Sequence, residues 1–537
     1  GMSAVVTDTK NLSEKETPLY VLIAVVLVCI VLAIFMDSFL VPVFFMISIG
    51  MAIVYNLGSN ILLGEVSYIT KALAAVLQLG VTLDYSIFLW HSYKEMKEIY
   101  PDDHKEAMAV AISNTLTSVV GSSITTVAGF IALCFMSFTL GLDLGVVMAK
   151  GVVLGVIGCV TILPSFILTF DKALEKTMHR EIMPNFDKPA RWIVNHSWIF
   201  LIIFVLLLGP AIYGYNNTKV YYDLSDTLPE KLNCSQANKL LADNFDGTNS
   251  IYMILADSNL SAEDSNAMMN EVNDLDGISF ALSIDSALGG EIPTEMLPDS
   301  LVSELKGDEY QIMMVSTNYT IASDEINDQI DKVDAIAKKY DAKSMVIGEA
   351  PCTKDLITIT DKDFKTVSAV SIVAIFFIIF FVLKSISLPV ILVAAIEFAI
   401  FVNMGIPYFT HTQIPFIASV VIGTIQLGAT VDYAILMTTR YKKERSQGYA
   451  KKEAIQIALS TSIPSIIVSA LGFFAATFGV GCIASVDMIG SLCTLMARGA
   501  IISMFVVIFI LPSLFVLCDK LIINTSIGFK PKKNQDM

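Results

Sequence analysis

An octapeptide occurs twice in the chain. Gln78-Leu79-Gly80-Val81-Thr82-Leu83-Asp84-Tyr85 returns as Gln426-Leu427-Gly428-Ala429-Thr430-Val431-Asp432-Tyr433, an offset of 432 − 84 = 348 residues. Other landmarks keep that spacing to within one residue. Pro42 matches Pro389, Asn56 matches Asn403, and Gly58 matches Gly405. Met148-Ala149-Lys150-Gly151 matches Met496-Ala497-Arg498-Gly499, Leu163-Pro164-Ser165 matches Leu511-Pro512-Ser513, and Asp171-Lys172 matches Asp519-Lys520. A duplication in one register means that whatever one copy builds, the other builds too.

What each copy builds follows from its apolar runs. Segments near 20 apolar residues are long enough to cross a bilayer. We read eleven, at 18–36, 40–57, 67–92, 110–136, 143–170, 192–214, 365–383, 387–405, 414–438, 455–480 and 488–518, with the tight connections at 36–40 and 384–387. Only 16% of residues are charged, against roughly 25% in soluble domains. Hydrocarbon does not solvate charge, so charge is pushed into the loops.

Lysine and arginine in short loops set orientation. Lys94, Lys97 and Lys105 follow the third span, and Lys172, Lys176, Arg180, Lys188 and Arg191 follow the fifth. Arg440, Lys442, Lys443, Arg445, Lys451 and Lys452 follow the ninth, and the tail carries Lys530, Lys532 and Lys533. Eleven alternating spans place all of these on one side, expected to be the cytoplasm. The N-terminus and residues 216–364 then fall outside.

Residues 216–364 hold 28 acidic residues against 10 lysines and no arginine, so this one segment carries −18 of a net −16. A solvated surface explains that charge, and nothing in it points to nucleic acid. Strand-like Ser250–Ala256, helical Ala262–Leu275, strand-like Ile278–Ile284 and Tyr310–Ser316, helical Ile321–Tyr340 and a short strand Ser344–Ile347 follow in order. With an insertion near 294–305, this βαββαβ order predicts a ferredoxin-like α+β domain. Cys234 and Cys352, in or beside this domain, could pair; the other six cysteines sit in or beside apolar runs.

The expected organisation is 1–17 as a remnant of a first outer domain, 18–175 as the first transmembrane bundle, and 176–191 as a cytoplasmic linker. A further helix at 192–215, the outer domain at 216–364, the second bundle at 365–520 and a cytoplasmic tail at 521–537 complete it. In the repeat register Gly1 aligns with Gly348. The first copy therefore lacks a counterpart of the 192–214 span and most of an outer domain. The expectation is an N-terminally truncated chain, or Gly1 as an extra residue before a start at Met2; a complete protein would have twelve spans and two outer domains.

Asp84 and Asp432 lie deep inside apolar helices. A charge there costs roughly 2.5–3.5 kcal/mol on insertion scales and marks ion or proton paths. Tyr85 and Tyr433 follow directly, and a phenol can both donate and accept a hydrogen bond. Thr82 and Thr430 add hydroxyls near the same level. Lys150 and Arg498 match each other; snorkelling to an interface is the plain reading, pairing with the aspartates the alternative. Glu397 has Gly50 in its matched place, and His91 reads as interfacial rather than as a relay. Pro164, Pro464 and Pro512 read as kinks or helix ends. The bland alternative for the aspartates is interhelical hydrogen-bond glue, which two matched Asp-Tyr pairs disfavour. No phosphate-binding loop, metal-ligand cluster or nucleophile-base set is visible, so neither ATP-driven action nor an enzyme is expected.

Gly80-Val81-Thr82-Leu83-Asp84-Tyr85 and Gly428-Ala429-Thr430-Val431-Asp432-Tyr433 resemble the Asp-Tyr pairs of transmembrane helices 4 and 10 in the MMPL family, part of the resistance-nodulation-division superfamily. The duplicated layout is similar too. The resemblance covers essentially the whole chain. It implies a polytopic α-helical membrane protein in a bacterial plasma membrane, exporting lipids or other hydrophobic molecules. It implies a proton gradient in place of a cofactor, with Asp84, Tyr85, Asp432 and Tyr433 as relay and Thr82, Thr430, Lys150 and Arg498 as support. Its partners would be a lipid-like substrate and the bilayer, as a monomer or a homotrimer. A sterol-sensing-like regulator, a protein-translocation accessory of the same superfamily and an inactive fragment are the competing expectations.

Overall fold

A computed structural model describes residues 2–179, 182–222, 228–229, 231–244, 250–287 and 305–529. Arg180, Lys530, Lys532, Lys533 and most of the 294–305 insertion lie outside the described residues. Long helices dominate: α1 (Met2–Phe35), α2 (Leu40–Gly58), α3 (Tyr68–Ile99), α4 (His104–Leu133), α5 (Thr139–Thr169), α6 (Ser197–Asn217), α7 (Glu349–Leu383), α8 (Ser387–Thr410), α9 (Phe416–Ser446), α10 (Lys451–Ile483) and α11 (Asp487–Phe505). A π-helical turn at Val506–Ile510 carries α11 into Leu511–Thr525, just ahead of Pro512, whose missing N–H disrupts the ordinary ladder. Ten of these helices are individually long and apolar enough to cross a membrane, and α4 joins them as a pair bent by 42° between Leu116 and Ser118.

Helices outrun the apolar stretches that announce them. The helix of the first span begins at Met2 rather than 18, and that of the seventh at Glu349 rather than 365. Hydropathy marks lipid-facing length, whereas backbone hydrogen bonding continues wherever the residues favour a helix. Caps set other ends: Asp103 accepts from the backbone N–H of Lys105 and Glu106 ahead of α4, and Ser67 accepts from Ile69 at the start of α3.

The chain divides into two compact units, Tyr221–Lys362 with Gly1–Asn11, and Leu12–Val220 with Asp363–Met537. In the first unit, β1 (Ser250–Asp257), β2 (Ile278–Leu282), β3 (Tyr310–Thr317) and β4 (Met345–Gly348) form an antiparallel sheet in the order β2-β3-β1-β4. Ser250 pairs with Thr317 and Asp257 with Tyr310. With the helices Ala262–Asn273 and Asp324–Tyr340, this is the ferredoxin-like βαββαβ arrangement. Alternation along β1 sends Tyr252, Ile254 and Ala256 to the helical side, where they meet Met268, Val272 and Val333 in a buried core. The second of these helices starts at Asp324 rather than 321 because Ser323 caps Ile326 N and Ala322 takes a left-handed φ of 66°. Cys234 and Cys352 are both free thiols, the first buried and the second exposed.

The second unit is the helical bundle. Within it α3 and α9 are the innermost helices: every residue from Ala72 to Ile87 and from Thr424 to Ile435 is buried. α4 of the first copy packs on α9 of the second, and α10 of the second packs on α3 of the first. Glycine permits these contacts. A Cβ on Gly129 would lie 3.2 Å from Gly428 Cα, and one on Gly472 would lie 2.4 Å from Leu83 Cδ2. Small residues at such crossings let helix backbones approach closely in a membrane, where no hydrophobic effect drives helices together.

Candidate functional site

The interlocked packing brings Asp84, Tyr85, Asp432 and Tyr433 together in the middle of the bundle, all four buried. The pairs are crossed in the sense that each phenol feels the charge of the opposite helix's carboxyl as well as that of its own neighbour. The two carboxyl groups also interact with each other. Each phenol is therefore placed to join the carboxyl of the opposite helix.

The surroundings of the two carboxyl groups differ. Asp432 is met by hydroxyls of α4: Thr125 Oγ1 lies 3.4 Å from its Oδ1, and Ser122 and Thr126 face it as well. Thr126 Oγ1 also donates to the Gly428 carbonyl at 3.1 Å. Asp84 and Ser469 of α10 face each other, and Tyr85 faces Thr126, without the close approach of an ordinary hydrogen bond.

The remaining predicted residues sit elsewhere. Thr82 Oγ1 donates to the Gln78 carbonyl and Thr430 Oγ1 to the Gln426 carbonyl, each at 2.7 Å, so their hydroxyls are turned back on their own helices. Lys150 and Arg498 do not reach the aspartates: Lys150 Nζ donates to Asn60 Oδ1 at 2.7 Å, and Arg498 Nε donates to Asn403 Oδ1 at 2.8 Å. An ammonium or guanidinium follows the nearest oxygen its stem allows, and here that oxygen belongs to an amide.

Those amides form a duplicated clasp that motif reading overlooks. Asn56 Nδ2 of α2 donates to Gln78 Oε1 of α3 at 2.8 Å and to the Val147 carbonyl of α5 at 3.1 Å, while Gln78 Nε2 donates to the Gly151 carbonyl at 3.0 Å. Asn403, Gln426 and Leu495 repeat the pattern at 2.8 and 3.0 Å, and Gln426 Nε2 adds Ser503 Oγ at 3.1 Å. A Cβ on Gly151 would meet Asn56 Nδ2 at 2.6 Å, and one on Gly499 would meet Gln426 Oε1 at 2.7 Å. The clasp explains why Asn, Gln and Gly recur in one register. It pins each Asp-bearing helix two turns from its carboxyl group.

A second duplicated brace ties the ends of the same helices. Tyr93 Oη donates to Asp171 Oδ1 at 3.2 Å, and Lys97 Nζ lies 3.2 Å from that oxygen and 2.9 Å from Glu175. Tyr441 donates to Asp519, which Arg445 also engages, in the matched positions. His104, Asp171 and Glu175 bring their ligand atoms within 4.8 Å of one another, but Lys97 already supplies the positive charge between the two carboxylates.

Burial pushes Asp171 up, but hydrogen bonds and charge from Lys97 and His104 outweigh it and hold the carboxyl below the usual aspartate range. The folded chain therefore binds this proton less readily than the unfolded chain, and acid favours unfolding. Asp171→Asn is expected to lower the melting temperature at neutral pH. The gap to the parent should close as pH falls below about 4, the ordinary aspartate value. Thermal melts of detergent-solubilised protein across pH measure this.

Together the fold and site define a class: a polytopic helical membrane protein made by duplication, with a carboxyl-phenol pair from each copy meeting at its centre. The MMPL family model matches residues 1–198 and 228–535, and the chain belongs to that family. It is 23% identical, over 81% of its own length, to the putative membrane protein ActII-3 of Streptomyces coelicolor, and 22% identical over 84% to the membrane protein YdfJ of Bacillus subtilis. It is 22% identical, over 76% of its length, to a Bacillus anthracis protein named apo-petrobactin exporter. It spans 60%, 63% and 57% of those three proteins, respectively.

Proposed function

We propose that the chain belongs to a proton-driven exporter of lipids or other amphiphilic small molecules in a bacterial plasma membrane. In this reading the Lys- and Arg-rich loop ends face the cytoplasm and the ferredoxin-like domain faces outward. The observation that carries it is the buried, crossed set of Asp84, Tyr85, Asp432 and Tyr433. A buried carboxyl group that gains and loses a proton changes the charge between the two copies, and two packed bundles can answer by shifting against each other. Family membership and an exporter among the relatives support a transport role.

Inverted membrane vesicles from cells producing the full chain test this. Respiring vesicles should accumulate at least one member of a panel of fluorescent amphiphiles, and a protonophore should abolish that uptake. Uptake that survives the protonophore, or that requires ATP with the gradient collapsed, would contradict proton coupling.

A further inference from the structure

α3 and α10 run antiparallel with their contacts in register. A Cβ on Gly80 would meet Phe473 Cδ2 at 2.9 Å, and Gly472 abuts Leu83. Continuing that register puts Ser469 at the level of Asp84 and Ser462 at the level of His91. His91 lies seven residues beyond Asp84, on the same face of α3 and about 10 Å along it. Ser462, Ser465 and Ser469 share one face of α10 at i, i+3 and i+7, and all three are buried. Ser462 Oγ lacks a hydrogen-bond partner among the described residues, and Ser469 faces Asp84.

An open cavity of about 340 Å³ reaches His91, at the end of this file, and is lined in part by Asn185 and by Ser460, Thr461, Pro464 and Val468, which lie on the neighbouring face of α10 from the three serines. Pro464 has no N–H to offer the Ser460 carbonyl, so that acceptor is released from the helix ladder beside the cavity. The first copy breaks the file at the level of the carboxyl: Gly121 stands in the position matching Ser469, whereas Thr117, Asn114 and Thr439 match Ser465, Ser462 and His91.

We propose that Ser462, Ser465 and Ser469, with His91 at the mouth, form a hydrophilic path that connects Asp84, and not Asp432, to the aqueous phase through this cavity. The path rests on the relay reading. A proton passes along hydroxyls and the water they hold, while Asp432, dressed by Ser122, Thr125 and Thr126, exchanges with Asp84 through the crossed phenols. The two copies then have different tasks despite their common origin. His91 belongs to the path and is more than an interfacial residue.

Two measurements on the full chain test the path. In native membrane vesicles, Ser465→Cys and Val468→Cys should react with 2-aminoethyl methanethiosulfonate, a water-borne cation. Ala470→Cys, on the packed face, should not. Mass spectrometry locates the label among the native cysteines. A Ser465→Cys protein as inert as Ala470→Cys would overturn the path whether or not the relay reading holds.

In liposomes of phosphatidylcholine and phosphatidylglycerol with a trapped pH dye, Asp84→Asn should abolish protein-dependent collapse of a pH gradient. Ser462→Ala combined with Ser469→Ala should slow it roughly tenfold, the size of one lost hydrogen bond. If Asp84→Asn abolishes the flux and the double serine variant runs at the parent rate, the path is overturned and the relay stands. If Asp84→Asn runs at the parent rate, the relay reading fails. If the parent carries no flux without substrate, cysteine labelling alone decides the path.

Discussion

Asp84→Asn and Asp432→Asn proteins should reach the membrane, melt like the parent, and move no substrate against a gradient. Asparagine matches aspartate in shape and can still hydrogen-bond, but it cannot take up or release a proton. If gradient-driven uptake depends on proton transfer at these carboxyl groups, each substitution should lower its rate by at least about 100-fold, the lower range for a positioned acid-base group. Thermal melts should stay close to the parent, because asparagine can keep the loose approach of Ser469 to residue 84 and the contact of Asp432 with Thr125 is long at 3.4 Å. Uptake in the vesicle assay and melting of the same preparation check both halves. Normal uptake by both variants would remove the relay.

Asn403→Ala should destabilise the protein much more than Asn56→Ala, although the two positions are matched. A single interhelical hydrogen bond in a membrane averages about 0.6 kcal/mol, so the two bonds from either Asn Nδ2 account for only about 1 kcal/mol. The difference lies in the oxygen. Asn403 Oδ1 and its carbonyl hold Arg498 at 2.8 and 2.7 Å, whereas Lys150 turns to Asn60 and leaves Asn56 Oδ1 unpaired. Removing the Asn403 side chain leaves the part-buried Arg498 Nε without its acceptor, and an unsatisfied charged donor costs about 2 kcal/mol or more. Unfolding titrations in detergent should place Asn403→Ala at least about 2 kcal/mol below Asn56→Ala. Adding Arg498→Leu to Asn403→Ala should recover part of the loss, since the cycle removes the unsatisfied donor. Equal costs at the two asparagines would contradict this account of the clasp.

Much of the fold was legible because the repeat and the apolar runs are independent signals that agree. Strand alternation in Ser250–Asp257 is local, so the order of the ferredoxin-like domain was readable too. Helix ends were not: Met2–Thr17 and Glu349–Phe364 are polar stretches that hydropathy discards, yet they are helical. At the site, Asp84 and Asp432 announced themselves because a carboxyl group in an apolar helix is costly. Gln78 and Gln426 stood in the same motif and Asn56 and Asn403 among the matched landmarks, but spacing alone does not show that they bond to one another and to the backbone carbonyls of Gly151 and Gly499. Ser122, Thr125 and Ser469 have no hydroxyl in the matched positions, so the repeat could not point to them. Lys150 and Arg498, read as snorkelling with relay support as the alternative, bond to Asn60 and Asn403, because sequence shows a cation at a given depth and not which oxygen it finds.

The central claim is that Asp84 and Asp432 gain and lose protons inside the bundle. Infrared difference spectroscopy across a pH step reads protonated carboxyl groups directly and needs no substrate. The parent should show a buried-carboxyl band that changes with pH, reduced in each single Asp→Asn variant and missing when both are combined. A difference spectrum left unchanged by removing both aspartates would contradict it.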